Sequence, residues 1–183
     1  MKFLINSFKI IVLITVSLNV SGKVEHQKQE RVDKAVCVLS SPFTNINGIV
    51  TFDKDEKGVL VSGKITGLTP GPHALHIHER GDIRDPKCST VGEHFNPFSK
   101  QHGAREDNAR HVGDLGNINA DHTGTALFSF NDKILVLEGP NSIIGRSLVI
   151  HANIDDLGRT QDLNSKLTGA AGERLICGVI GYG

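Results

Sequence analysis

The chain has 183 residues, which is enough for one domain of ordinary size with a buried core. Its 20 basic and 20 acidic residues balance, so the sequence has no overall attraction to nucleic acid or to an anionic membrane, and neither partner is expected. Gly 20, Trp 0 and only 5% aromatic residues favour an all-β domain with many tight turns.

The first 22 residues have the layout of a secretory signal peptide. Lys2 and Lys9 precede an apolar run that ends at Val20, and the small residues Ser21-Gly22 offer a cleavage site. The apolar run is well short of the ~20 residues that a transmembrane helix needs. We therefore expect residues 1–22 to be removed, the mature chain to have no membrane span, and the protein to be secreted and extracellular.

Residues 23–32 are polar and form a lead-in to a single domain at 33–183. Within the domain, short apolar segments alternate with turn-forming residues, a pattern typical of β-strands. The predicted strands are Ala35–Leu39, Gly48–Phe52, Val59–Ile65, Ala74–His78, Leu115–Ala120, Thr125–Phe130, Ile134–Leu137, Leu148–His151 and Leu175–Ile180. No segment has the sustained periodicity of an amphipathic helix.

Two long stretches interrupt the strands, Glu79–His111 and Ala152–Gly172. Both are rich in glycine, proline, aspartate, asparagine and charge, and loops of this length in a compact domain are usually functional or disordered. The first stretch carries three histidines and a cysteine, which favours a functional loop. Short strands joined by two long loops predict an antiparallel β-sandwich or β-barrel.

Histidine is the unusual residue of this sequence, with 9 copies that are clustered. His76 and His78 are two apart in a predicted strand, so their side chains share one face and can meet at one copper or zinc ion. His151 ends another predicted strand and is a candidate further copper ligand.

The first long loop supplies a second set of candidate ligands. His94, His102 and His111 lie in it, and Asp114 follows three residues after His111. Three imidazoles and one carboxylate form a tetrahedral set that zinc accepts, and a metal would order a loop too polar to order itself by burial.

The other three histidines are assigned no metal. His73 faces away from His76 by strand alternation, so we expect it to make a structural hydrogen bond. His26 lies in the lead-in and His122 at a predicted hairpin turn, and both are interpreted as surface residues.

Three cysteines in an exported protein predict one disulfide and one free thiol. Cys37 lies within the apolar strand Ala35–Leu39 and is interpreted as an inert core thiol. Cys88 and Cys177 remain as the expected disulfide pair.

Several motifs follow one another in a fixed order between about Ala35 and Gly181. They are His76-Ile77-His78-Glu79, Gly81-Asp82, Gly92-Glu93-His94-Phe95-Asn96-Pro97, Arg110-His111-Val112-Gly113-Asp114-Leu115-Gly116-Asn117, Ile143-Ile144-Gly145-Arg146, His151 with Asp155-Asp156-Leu157-Gly158, and Gly172-Glu173-Arg174-Leu175-Ile176-Cys177-Gly178. In these motifs and in their order the sequence resembles the copper/zinc superoxide dismutases.

The resemblance implies an eight-stranded antiparallel Greek-key β-barrel that forms a homodimer, with one copper and one zinc per subunit. It implies a copper site made of His76, His78, His94 and His151. It also implies a zinc site made of His94, His102, His111 and Asp114, so that His94 bridges the two metals. The Cys88–Cys177 disulfide is implied as well.

The implied reaction converts superoxide to molecular oxygen and hydrogen peroxide by alternating reduction and oxidation of copper, as an antioxidant defence outside the cell. The resemblance gives Arg174 the role of attracting and orienting the anion beside the copper. It implies that His94 carries one of the protons of the reaction. It also implies that Asp155 is the carboxylate that orients one ligand histidine of each metal.

The sequence departs from many relatives in two places. In the charge-guiding loop a common pair of glutamates is replaced by Leu163 and Asn164, and Lys166 and Thr168 remain as candidate channel residues. The segment Ile83–Lys87 also differs, and it borders the dimer contact implied by the resemblance.

Two other classes of protein are compatible with parts of the sequence. One is a catalytically silent copper/zinc-binding protein of the same fold, but all seven implied ligand positions are filled and there is no C-x-x-C motif. The other is an immunoglobulin-like adhesion sandwich, which has no need for histidines concentrated in one loop and at two strand ends.

Overall fold

The computed structural model of the chain describes residues 32–183, in which eight antiparallel strands close into a barrel. The strands are β1 Lys34–Leu39, β2 Asn47–Asp55, β3 Gly58–Thr66, β4 Gly71–His78, β5 Asp114–Ala120, β6 Ala126–Asp132, β7 Ser147–His151 and β8 Arg174–Tyr182. Their order around the barrel is β1-β2-β3-β6-β5-β4-β7-β8. Since β3 lies beside β6 while β4, β5 and β6 follow one another, the connectivity is a Greek key. The predicted all-β barrel is confirmed.

Alternating side chains of the strands fill the interior. Phe52, Leu75, Ile77, Leu148 and Ile150 are fully buried in one hydrophobic cluster. Where β2 turns into β3, the chain passes so close to the backbone of β6 that any side chain at Gly58 would collide with the carbonyl oxygen of Asp132. Gly58 also has φ +131°, a conformation that glycine adopts without strain.

The strand β4 differs from the others because it is covered on both faces. Every residue from His73 to His78 is buried. Leu75 and Ile77 pack into the barrel core, whereas His76 and His78 lie under the two long connections that follow β4 and β7. The predicted long loops are therefore present, and they cover the strand that carries the H-x-H pair.

Two details of the predicted secondary structure are wrong. Ile134–Leu137 forms no strand, because the Asp132 carboxylate accepts hydrogen bonds from the backbone N–H groups of Ile134 and Leu135 and turns the chain after β6. Leu163–Thr168 forms a short helix, α1, where no helix was expected. The Asp162 side chain caps its first turn by accepting from Asn164 N, and Gly169 ends it in the left-handed conformation.

The leader and most of the lead-in, together with His26, lie outside the described residues. No helix among residues 32–183 is both long and apolar enough to cross a membrane.

Candidate metal centre

Six buried histidines and two buried aspartates meet outside the barrel wall. They come from β4, from the first residue of β5, from the end of β7 and from both long loops. The buried residues are His76, His78, His94, His102, His111, His151, Asp114 and Asp155.

The first group of possible metal ligands consists of His76, His78, His94 and His151, whose ligand atoms lie within 4.8 Å of one another. His78 Nδ1 donates to Gly92 O at 2.9 Å, and His151 Nδ1 donates to Gly172 O at 3.2 Å. Because carbonyl oxygens only accept, these contacts place the protons on Nδ1 and leave both Nε2 atoms with free lone pairs. The two Nε2 atoms are nevertheless only 3.3 Å apart. Facing lone pairs repel unless a cation lies between them.

Two further nitrogens of this group are buried without a hydrogen-bond partner, namely His76 Nδ1 and His94 Nε2. His76 uses its other nitrogen, Nε2, to contact Asp155 Oδ2 at 2.9 Å. His94 uses Nδ1 to contact Asp114 Oδ1 at 2.9 Å. An unpaired buried polar atom costs about 1–3 kcal/mol, so these nitrogens fit a site that a metal completes.

The second group within the same 4.8 Å limit consists of His76, His94, His102 and Asp114. His94 belongs to both groups. His111 lies beside the second group, with its Nδ1 at 3.1 Å from Asp114 Oδ1 and 3.4 Å from His94 Nδ1. The predicted zinc ligands are therefore brought together, although His111 is not in the tightest set.

The separations among His94, His102, His111 and Asp114 match the edges of a zinc tetrahedron. His102 Nδ1 lies 3.0 Å from Asp114 Oδ1 but makes no hydrogen bond. His94 and His111 approach the same oxygen at 2.9 and 3.1 Å. Zinc–ligand bonds of about 2.0–2.1 Å in a tetrahedron place neighbouring ligand atoms about 3.3 Å apart. The donor set thus has the composition and the spacing that zinc requires.

Burial keeps the histidines of the first group neutral. Removal from water, with repulsion from neighbouring imidazoles, lowers the pKa of His76 and His78 well below the usual value. Burial likewise lowers the pKa of His151 to about 4. A neutral imidazole offers a lone pair at physiological pH, which is the form that binds a metal.

In the second group the Asp114 carboxylate and the His102 imidazole each favour the charged form of the other. Burial alone would raise the pKa of Asp114, but the His102, His111 and His94 imidazoles hold it well below its usual range. Burial opposes the charged form of His102, and the Asp114 and Asp155 carboxylates outweigh it and raise the pKa of His102 to about 9.

Asp155 connects the two groups. Its Oδ2 contacts His76 Nε2 at 2.9 Å, and its Oδ1 contacts His102 Nε2 at 2.7 Å. The Asn117 side chain holds the Asp155 backbone by donating to its carbonyl at 2.9 Å and accepting from its N–H at 2.7 Å. A side chain at Gly169 would collide with Asp155 Oδ1. The sequence reasoning gave no role to Asn117 or Gly169, although both stand in or beside motifs that it singled out.

Arg174 lies at the edge of the first group. Its Nη1 donates to Cys88 O and its Nη2 to Gly92 O, each at 2.7 Å. Gly92 O also accepts from His78, so the guanidinium and a candidate copper ligand share one acceptor. The predicted Cys88–Cys177 disulfide is present and ties the segment that carries these carbonyls to β8.

Lys166 and Thr168 face other partners in this structure. Lys166 Nζ donates to Gly158 O at 2.6 Å, and Thr168 Oγ1 donates to Asn164 O at 3.0 Å. Neither residue lines the cavity beside Arg174. Their place in the substrate channel stays a prediction.

The histidines without a predicted metal role behave as expected where they are described. His73 is buried, with Nδ1 at 2.9 Å from His151 O and Nε2 at 2.9 Å from Thr69 O, which confirms its structural hydrogen bonds. His122 is exposed in the turn between β5 and β6.

Residues 46–180 match the model of the family described as copper/zinc superoxide dismutase. Three curated proteins are similar to about four-fifths of the chain. An extracellular superoxide dismutase [Cu-Zn] from Brugia pahangi is 50% identical over 149 residues, which are 80% of this chain and 74% of the relative. A superoxide dismutase [Cu-Zn] from Onchocerca volvulus is 49% identical over 154 residues, 81% of this chain and 96% of the relative. Superoxide dismutase [Cu-Zn] 5 from Dictyostelium discoideum is 46% identical over 148 residues, 80% and 95% of the two chains.

Proposed function

This chain belongs to the copper/zinc superoxide dismutase family and is a superoxide dismutase, and we propose that it holds copper and zinc in two adjacent sites that share His94. Copper binds His76, His78, His94 and His151. The facing Nε2 atoms of His78 and His151, 3.3 Å apart, are the observation that carries this assignment. Zinc binds His94, His102, His111 and Asp114, which is supported by the convergence of three imidazoles on one Asp114 oxygen.

Copper, when bound, supplies reversible one-electron chemistry, so that two superoxide anions and two protons become one O₂ and one H₂O₂. The remaining work belongs to the protein. The guanidinium of Arg174 has five N–H donors, and two of them bind Cys88 O and Gly92 O. The remaining donors bind the anion and orient it next to His78 and His151.

His94 delivers one of the two protons. Its Nε2 is buried, lacks a hydrogen-bond partner and belongs to the first group, whereas its Nδ1 is held by Asp114. Nε2 would carry this proton when it is not bound to copper and would pass it to the reduced oxygen, while Nδ1, on the zinc side, keeps the ring in place.

Metal analysis of ligand variants tests the assignment. We expect one copper and one zinc per chain in the native protein, loss of copper but not zinc in His151→Ala, and the reverse in His111→Ala. His122→Ala removes an exposed histidine and is the matched control. Equal loss of both metals in the two ligand variants would contradict separate sites.

The protein acts outside the cell after removal of residues 1–22. The leader sequence, the disulfide and a relative named extracellular support this proposal. Amino-terminal sequencing of protein recovered from culture medium should read Lys23 first. Retention of the leader on an exported protein would contradict the assignment of its cleavage site.

The protein forms a homodimer through an apolar surface next to the disulfide. Val38 and Ile49 are paired across β1 and β2 and are 58% and 54% exposed. Phe43 and Ile83 line one cavity with Cys88, and Tyr182 on the neighbouring strand β8 is 73% exposed. Exposed apolar side chains in such number mark a surface that a partner covers.

Sedimentation of variants tests the dimer. Ile49→Lys introduces a charge into the apolar surface and should convert a dimer into a monomer. Leu127→Lys alters an equally apolar, 72% exposed residue on β6 and should remain dimeric. A native protein that sediments as a monomer at micromolar concentration would contradict the proposal.

A further inference from the structure

A cavity of about 470 Å³ lies beside Arg174, and it is lined by Lys87, Ser89, Gly172, Glu173 and Arg174. It adjoins the metal centre, since Gly172 O accepts from His151 and the carbonyl of Cys88, next to Lys87, accepts from Arg174. The cavity therefore offers an anion a route from solvent to Arg174.

The charged side chains on the cavity wall differ in whether they already bind other groups of the protein. Arg174 is half-buried and already holds two carbonyl groups. Lys87 is exposed, and its ammonium lies within 4 Å of no carboxylate among residues 32–183. The nearby Asp85 carboxylate accepts hydrogen bonds from the backbone N–H groups of Lys87 and Ser89, and the charge of Lys87 helps to lower its pKa without forming an ion pair. Glu173, also exposed, is the opposing charge on the wall.

The other loop offers the cavity no comparable cation. Lys166 is bound to Gly158 O, and the helix α1 presents Leu163 and Leu167 to solvent, at 70% and 54% exposure. An ammonium group that lines the cavity outside any ion pair attracts anions there more effectively than one bound to a carbonyl elsewhere.

We propose that Lys87 attracts the superoxide anion into this cavity, where the anion then binds to Arg174. Lys87 acts through its charge at a distance and is not a catalytic residue. This role rests on the proposed position of substrate beside Arg174.

The salt dependence of the reaction tests the role of Lys87. Coulomb attraction over about 10 Å of water predicts that the rate constant at low salt falls about twofold in Lys87→Gln and about fourfold in Lys87→Glu. At about 1 M salt the Debye length is about 3 Å and the differences should vanish. Lys57→Gln removes the same charge from the β2–β3 turn, on strands opposite β4 and β7 in the barrel, and should leave the rate unchanged.

Phosphate binding gives a second readout that needs no turnover. Inorganic phosphate is added to the copper(I)- and zinc-loaded protein, and the amide chemical shifts of Gly172 and Arg174 are followed by NMR. Because phosphate is largely a dianion at pH 7.5, Lys87→Gln should weaken its binding about fourfold. Lys57→Gln should not weaken it.

Equal phosphate affinity and equal salt dependence in Lys87→Gln and the native protein would overturn the role of Lys87. If phosphate binding weakens in Lys87→Gln but the native protein does not remove superoxide, Lys87 still attracts anions and the proposed function fails instead. The thermal midpoint and metal content of each variant show that the fold is intact.

Discussion

Replacement of Asp155 by asparagine should weaken both metal sites without unfolding the barrel. Asp155 Oδ2 accepts from His76 Nε2, while Oδ1 accepts from His102 Nε2 and from Leu157 N. Asparagine has one acceptor oxygen and one NH₂ group. If the oxygen keeps its contacts with His102 and Leu157, the NH₂ group faces His76 Nε2. His76 must then move its proton to Nδ1, the atom that we assign to copper.

The size of the effect follows from these contacts. Loss of a carboxylate that orients a ligand histidine costs about 10- to 100-fold in metal affinity. In free energy this is about 1.4–2.8 kcal/mol for each metal. His76 loses its acceptor, and His102 loses the negative charge that raises its basicity, so copper and zinc should both be affected.

Competition with chelators of known affinity measures the two dissociation constants. Asp156→Asn is the matched control, because the Asp156 carboxylate accepts from Ser165 Oγ and Gly158 N and from no histidine. We expect the control to bind both metals as the native protein does. Identical affinities in Asp155→Asn and Asp156→Asn would refute the orienting role of Asp155.

Three further predictions concern the surroundings of the centre. Arg174→Leu should lower the rate of superoxide removal about 10- to 100-fold, as expected for a lost charge-assisted hydrogen bond, while metal analysis still finds both metals; an unchanged rate at low salt would exclude Arg174. The paired change Cys88→Ala and Cys177→Ala opens a loop with a sequence separation of 89. The free energy of unfolding in urea should then fall by about 4–5 kcal/mol, and a change below about 1 kcal/mol would contradict this. Burial raises the pKa of the Cys37 thiol to about 12, so iodoacetamide at pH 8 should label Cys37 only after denaturation. Because this thiol ionises more easily in the unfolded chain, the free energy of unfolding should fall as pH rises above about 8.5.

Sequence patterns alone were enough to predict the ligands that lie close together along the chain. Strand alternation was enough to place His76 and His78 on one face, because the side-chain period of a strand is fixed at two residues. The concentration of histidine in a polar loop likewise marked that loop as a ligand source. Neither argument could show that both faces of β4 are buried, since this depends on loops that fold back over it.

The long-range part came from family resemblance and tertiary structure. Asp155 meets His76 across a separation of 79 residues, and no spacing rule connects them. The helix α1 was missed because it is only six residues long and two of its apolar residues, Leu163 and Leu167, face solvent. The strand predicted at Ile134–Leu137 is absent for a different reason. Its buried side chains give the segment a strand-like pattern, but hydrogen bonds to Asp132 turn the chain there.

The decay of superoxide in the presence of the metal-loaded protein tests the central claim most directly. His78→Ala, loaded and assayed in parallel, removes one of the two facing Nε2 atoms. The native protein should remove superoxide rapidly and His78→Ala should be severely impaired. A loaded native protein no faster than His78→Ala would contradict the assignment of catalysis to this centre.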